Sequence, residues 1–122
     1  MHALFYIFLG GGIGSVIRYL ISIPLKNQIS SFPIATLIAN VIACVIFAIT
    51  LSVFKNLQGL NDNLRLFILT GFCGGLSTFS TFSYESMHLL KSGNYASAGI
   101  SILLNLVCCF SCFIWMHHKI GN

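Results

Sequence analysis

The residues with chemistry to offer gather in one apolar stretch, Thr70-Gly71-Phe72-Cys73-Gly74-Gly75-Leu76-Ser77-Thr78-Phe79-Ser80-Thr81-Phe82-Ser83-Tyr84-Glu85. Three glycines and a run of hydroxyls weaken a helix there, and lipid gives freed backbone groups no hydrogen bonds. A broken backbone at membrane depth persists only where protein buries it, or where an ion or water satisfies it. Carbonyls released by such a break can hold a cation, and the helix that restarts presents N–H groups. The plainer reading of the same glycines is a kink packed against a partner helix.

Beyond the break, Phe79 and Phe82 are three residues apart and share a helix face. Aromatics at that spacing ordinarily meet lipid or core. Ser80, Thr81 and Ser83 beside them argue against a plain lipid face. Glu85 falls on the side of Phe82, one turn from Thr81, and is the one acid inside an apolar stretch. An intramembrane carboxylate points to function. It is either solvated near the interface or accepts hydrogen bonds from Thr81 and Ser80. Thr36 and Asn40 are four apart in a second apolar stretch, as are Ser101 and Asn105 in the last. Any one such donor can simply glue helices together. Two pairs beside a hydroxyl-rich break read as a lining, offering N–H and O–H groups to a small anion with no fixed cation to trap it.

The elements that must carry these residues follow from composition. Of the 122 residues, 57% are hydrophobic and 7% charged, and the mean hydropathy is +0.92. That leaves too little polar skin for a soluble domain. The length accommodates four spans of about 20 residues with short connections, so residues 1–122 read as a single all-α membrane domain. Four apolar stretches stand out, at about 3–24, 33–54, 64–90 and 96–116. Lys26-Asn27-Gln28 with Ser30-Ser31, Lys55-Asn56-Leu57-Gln58-Gly59 and Lys91-Ser92-Gly93-Asn94 connect them. The first stretch reads as a retained span, because glycines interrupt the apolar core a signal peptide needs. Its Gly10 and Gly14 place small residues on one face, the pattern of close helix packing.

The net charge of +4 does not imply nucleic-acid binding, because Arg18, Lys26, Lys55, Arg65, Lys91 and Lys119 are scattered rather than clustered. They also divide almost evenly between the two sides of a four-span topology. Lys55, Arg65 and Lys119 fall on one side; Lys26 and Lys91 fall on the other, with Arg18 if it snorkels. The bias that normally fixes orientation is therefore missing, and an antiparallel homodimer of dual topology follows. The five cysteines lie within apolar stretches. An odd number there argues against a disulfide framework. Cys108-Cys109-x-x-Cys112 reads as packing, since thiolates are costly in lipid. His88, His117 and His118 read as helix-end residues rather than metal ligands.

Three motifs together resemble the Fluc (CrcB) fluoride channels. Gly10-Gly11-x-x-Gly14-Ser15-x-x-Arg18-Tyr19 is similar to that family's first-helix GGxxGAxxRY, and Ala35-Thr36-Leu37-x-x-Asn40 to its second-helix GTLxxN. The segment from Gly71 to Phe82 resembles the third-helix GxxGGxTTFSTF. Order, spacing and length agree along the whole chain. Ser15, Ala35, Ala43 and Ser77 depart from the pattern, and the fourth helix matches through Ser101, with Asn105 unusual.

The resemblance implies a channel, not an enzyme, in the bacterial plasma membrane. It implies a dual-topology dimer with two fluoride pores and a structural sodium ion at its centre. By position, the carbonyls of Gly74 and Ser77 contribute to the sodium site, and Asn40 donates to fluoride. Phe79 and Phe82 line the path with electropositive ring edges. Ser80, Thr81 and Glu85 form a polar track beyond them, and Arg18 attracts anions at a vestibule. A small multidrug or guanidinium exporter is the rival class, also built of four short helices. It requires an acid in the first span to trade a cation for protons, and that span has none.

Overall fold

Apolar runs with no water to bond to must close their own backbone hydrogen bonds, and here they do so as helices. A computed structural model describes residues 2–25, 32–56 and 61–120. The connections containing Lys26-Asn27-Gln28, Ser30-Ser31 and Leu57-Gln58-Gly59 lie outside the described residues. Every regular element among the described residues is helical: α1 (His2–Leu25), α2 (Ile34–Asn56), α3 (Asp62–Leu66), a π-helical segment (Phe67–Cys73), α4 (Gly74–Leu76), α5 (Phe79–Lys91) and α6 (Tyr95–Ile120). These make four helical units long and apolar enough to cross a membrane, the third running Asp62–Lys91 through α3 to α5. The chain is a multi-pass membrane protein. The helices run one to four residues past the expected spans, except at the start of α2, which begins at Ile34 directly after Pro33.

The third unit is irregular. Its backbone widens into π turns, tightens again at α4, and leaves helical geometry at Ser77 (φ −80°, ψ 156°) and Thr78 (φ −153°, ψ 123°) before α5 begins. The π turns carry no simple sequence signature.

Glycines on both partners let α1 lie against this unit backbone to backbone. Gly10 and Gly14 are buried. A Cβ on Gly10 would strike the Phe67 carbonyl oxygen, and one on Gly14 the Phe72 carbonyl oxygen. From the other side, a Cβ on Gly75 would strike the Gly11 carbonyl, and one on Gly71 would sit 2.8 Å from that of Ile7. This is the small-residue packing expected of the first span. α2 packs mainly on α6. Between them and the third unit sits a small core of Ala39, Ala43, Cys73 and Leu76, bordered by Ile17, Ile21, Phe47 and Phe72. Large apolar side chains such as Phe8, Leu103 and Ile114 face outward, as lipid solvation requires.

Candidate functional site

The interruption at Ser77–Thr78 redirects several backbone groups to side chains. In a continuous helix the Thr78 N–H would bond the Gly74 carbonyl. It donates instead to Asn40 Oδ1 on α2 at 2.9 Å. The Thr81 N–H would bond the Ser77 carbonyl, but donates to Thr78 Oγ1 at 3.2 Å, so Thr78 caps α5. Arg18 Nε donates to the Gly75 carbonyl at 3.1 Å. Two carbonyls, those of Gly74 and Ser77, thus lose their helical donors to side chains. Neutral oxygens released together in this way are the donor set a hard monovalent cation takes, so the residues fit the sodium ion that the resemblance implies.

The bond from Thr78 also fixes the Asn40 amide. Its oxygen must meet that N–H, so its NH₂ points the other way. One of the two amide protons goes to Asn105 Oδ1 on α6 at 3.0 Å, and Asn105 Nδ2 donates on to the Ser101 carbonyl at 2.9 Å. A directed chain therefore runs from the break through α2 to α6, and each amide keeps a second N–H proton. Asn40 and Asn105 line a cleft of about 290 Å³ together with Ser77, Thr78, Phe79, Phe82, Cys44, Leu106, Cys109, Phe110 and Phe113. The Phe79 and Phe82 rings lie 5.8 Å apart and tilted by 48°. Among the described residues no charged side chain lines this cleft. Its polar groups are uncharged and set among aromatic rings.

Glu85 is held differently from the sequence reading. Its Oε1 accepts from Thr36 Oγ1 at 2.5 Å, across from α2, and not from Ser80 or Thr81. Thr36 is buried and needs a partner for its hydroxyl, and a carboxylate is the strongest acceptor within reach. Ser80 pairs instead with Thr78 at 3.2 Å, and Thr81 supplies its backbone N–H to the α5 cap. Ser101 contributes its carbonyl, while its fully buried hydroxyl has no partner among the described residues. Arg18 sits on the Gly75 carbonyl and does not line the cleft.

Some participants were not singled out from sequence. Thr78 acts through both its N–H and its hydroxyl, and its position just before a restarting helix was the available signal. Cys44 and Cys109 line the cleft because each follows an asparagine by four residues, a periodicity that apolar context obscured.

Comparison with known proteins agrees with this architecture. A family model described as CrcB-like protein, Camphor Resistance (CrcB), matches residues 5–117. The Fluoride-specific ion channel FluC 1 of Yersinia pestis is 42% identical over 105 residues, covering 86% of this chain and 83% of that relative. The Fluoride-specific ion channel FluC of Maridesulfovibrio salexigens is 40% identical over 115 residues, 93% of this chain and 91% of its own. That of Phocaeicola vulgatus is 44% identical over 98 residues, 80% of each. These relatives are named as ion channels rather than enzymes. With the family model spanning nearly all of the described helices, the chain belongs to the CrcB family.

Proposed function

We propose that this protein is a fluoride-selective channel that lets fluoride leave the bacterial cytoplasm passively, working as an antiparallel homodimer with two pores in the plasma membrane. The observation that carries the reading is the cleft itself. Amide N–H groups of Asn40 and Asn105 stand beside the rings of Phe79 and Phe82, with no fixed cation among them. The names of the relatives support the choice of ion.

Fluoride holds its water tightly, and moving a bare ion into low dielectric costs tens of kcal/mol. A pore must replace the hydration shell in steps weak enough to reverse. Asn40 offers its second amide proton in a direction fixed by Thr78. Asn105 offers another, and the Phe79 and Phe82 edges add weak positive potential. A buried lysine would bind and hold the ion; these groups bind and release it. Ser80, Thr81 and the Thr36–Glu85 pair continue the polar surface along α5 and α2. In this role Glu85 accepts from Thr36 and orients it, away from the cleft. Arg18 supports the channel by holding the Gly75 carbonyl at the break and by its positive charge.

Sodium fits the Gly74 and Ser77 carbonyls, and a two-fold axis between chains would supply each twice. Bound there, the ion provides positive charge that satisfies backbone oxygen. The homodimer has its own support. Thr70, Gly74, Ser80 and Ser83 are exposed along the third unit. Polar and bare backbone surface at membrane depth is a poor lipid face, and a second copy would cover it. The exporter alternative is not favoured, because α1 carries no Asp or Glu.

Efflux of fluoride from liposomes containing the purified protein, with chloride as the comparison anion, tests the proposal. Rapid fluoride loss with chloride retained is expected. Retention of both ions by a correctly folded protein contradicts it.

A further inference from the structure

Between the amide pair and a pair of rings, α2 and α6 each carry a thiol. Cys44 follows Asn40 by four residues and Cys109 follows Asn105 by four, about one helical turn along each. Asn40 and Asn105 are bonded at 3.0 Å on one side of this level, and Phe47 and Phe113 meet edge to face at 5.6 Å on the other. The two contacts occur in the same order along both helices, so α2 and α6 run parallel. Side chains that both helices turn toward the cleft at the level between them therefore lie close together. Cys44 and Cys109 occupy that level, one on each helix, and both line the cleft. Both are free thiols. Cys112 is engaged elsewhere, donating to the Cys108 carbonyl at 3.3 Å.

We propose that Cys44 and Cys109 form a two-coordinate site for a soft, thiophilic d¹⁰ cation, and that filling it closes the anion cleft. Sulfur pairs select soft metals over sodium or magnesium, which require oxygen. A structural zinc site needs four ligands. Among the described residues no group of three or more His, Cys, Asp or Glu could hold a metal. Two opposed thiols suit an ion satisfied by two ligands in line. Each S–H bond breaks as a metal–sulfur bond forms. With a divalent ion such as mercuric mercury, two protons leave to water and the S–Hg–S unit is neutral. Neutrality removes the cost that disfavours free thiolates in lipid. The filled site would stand about one turn from the Asn40 and Asn105 donors, on the same wall.

The closing effect rests on the fluoride-channel reading, whereas the metal site does not, so binding and flux are measured separately. The test uses protein in which Cys73, Cys108 and Cys112 are replaced by alanine, leaving the opposed pair. It is exposed to mercuric nitrate and washed with a small monothiol, which strips singly held mercury. One mercury per chain should survive the wash, with the ultraviolet charge-transfer absorption of a dithiolate complex. Adding Cys44→Ser or Cys109→Ser should abolish retention while the protein still elutes as the same species. Fluoride efflux should fall by roughly tenfold or more on loading and return with a dithiol chelator, and neither serine variant should respond. Retention by either serine variant, or none by the pair, overturns the site. Retention with unchanged flux overturns the closure. Absence of flux in the parent protein, with all five cysteines present, contradicts the channel reading instead, and the retention measurement still decides the site.

Discussion

At the scale of single residues, the site turns on which way one amide points. Asn40 accepts the N–H of Thr78 and donates toward Asn105, so its two ends do different work. Asn40→Asp keeps an acceptor for Thr78 but loses the donor and adds a negative charge. We expect fluoride efflux to be abolished while the protein remains folded. Asn40→Leu also strands the Thr78 N–H, at about 1–3 kcal/mol of stability, and should lower the melting temperature as well. Glu85→Gln preserves an acceptor for Thr36 and should reduce flux less than Asn40→Asp. A reversed ordering would assign Glu85 to the ion path itself. Asn40, Asn105 and the two rings were legible in the sequence because polar and aromatic residues stand out against an apolar background. The partner of Glu85 was not. Helical spacing pointed to Ser80 and Thr81 on the same element, whereas the winning partner comes from α2, which local spacing cannot reveal.

At the scale of elements, the irregular third unit is held by α1. Gly14 touches backbone, while Gly12 on the same helix has open space around it. Gly14→Ala should therefore cost about 1–3 kcal/mol through overpacking, and Gly12→Ala should be nearly silent, as thermal unfolding in detergent can show. Equal effects would mean the crossing is looser than described. The released carbonyls make a second expectation. Exhaustive removal of sodium should weaken the dimer or its flux, and Ser77→Thr should change neither, because the backbone is the proposed ligand. Unchanged behaviour without sodium would remove the ion from the account. Four helices and the glycine packing could be read from apolar run length and small-residue spacing. The π turns could not, because Phe67–Cys73 carries no simple sequence signature for them, and the close backbone contact with α1 is set by residues far away in the chain.

At the scale of the whole molecule, the near balance of basic residues supports the proposed dual topology, and the polar exposed face on the third unit supports a second copy. A tag at the C-terminus should be found on both sides of the membrane, and added lysines in one set of loops should bias insertion and depress flux. A single orientation in every molecule would contradict the antiparallel dimer. The central claim is that fluoride passes the cleft where Asn40 and Asn105 face the Phe79 and Phe82 rings. The most direct measurement is fluoride efflux from liposomes carrying purified dimers with Phe79 or Phe82 replaced by Ile or by Tyr. Isoleucine keeps apolar bulk but has no electropositive edge; tyrosine keeps the ring. Each Ile variant should nearly stop efflux, and at least one Tyr variant should retain part of it. Parental fluoride flux through both folded Ile variants would contradict the account.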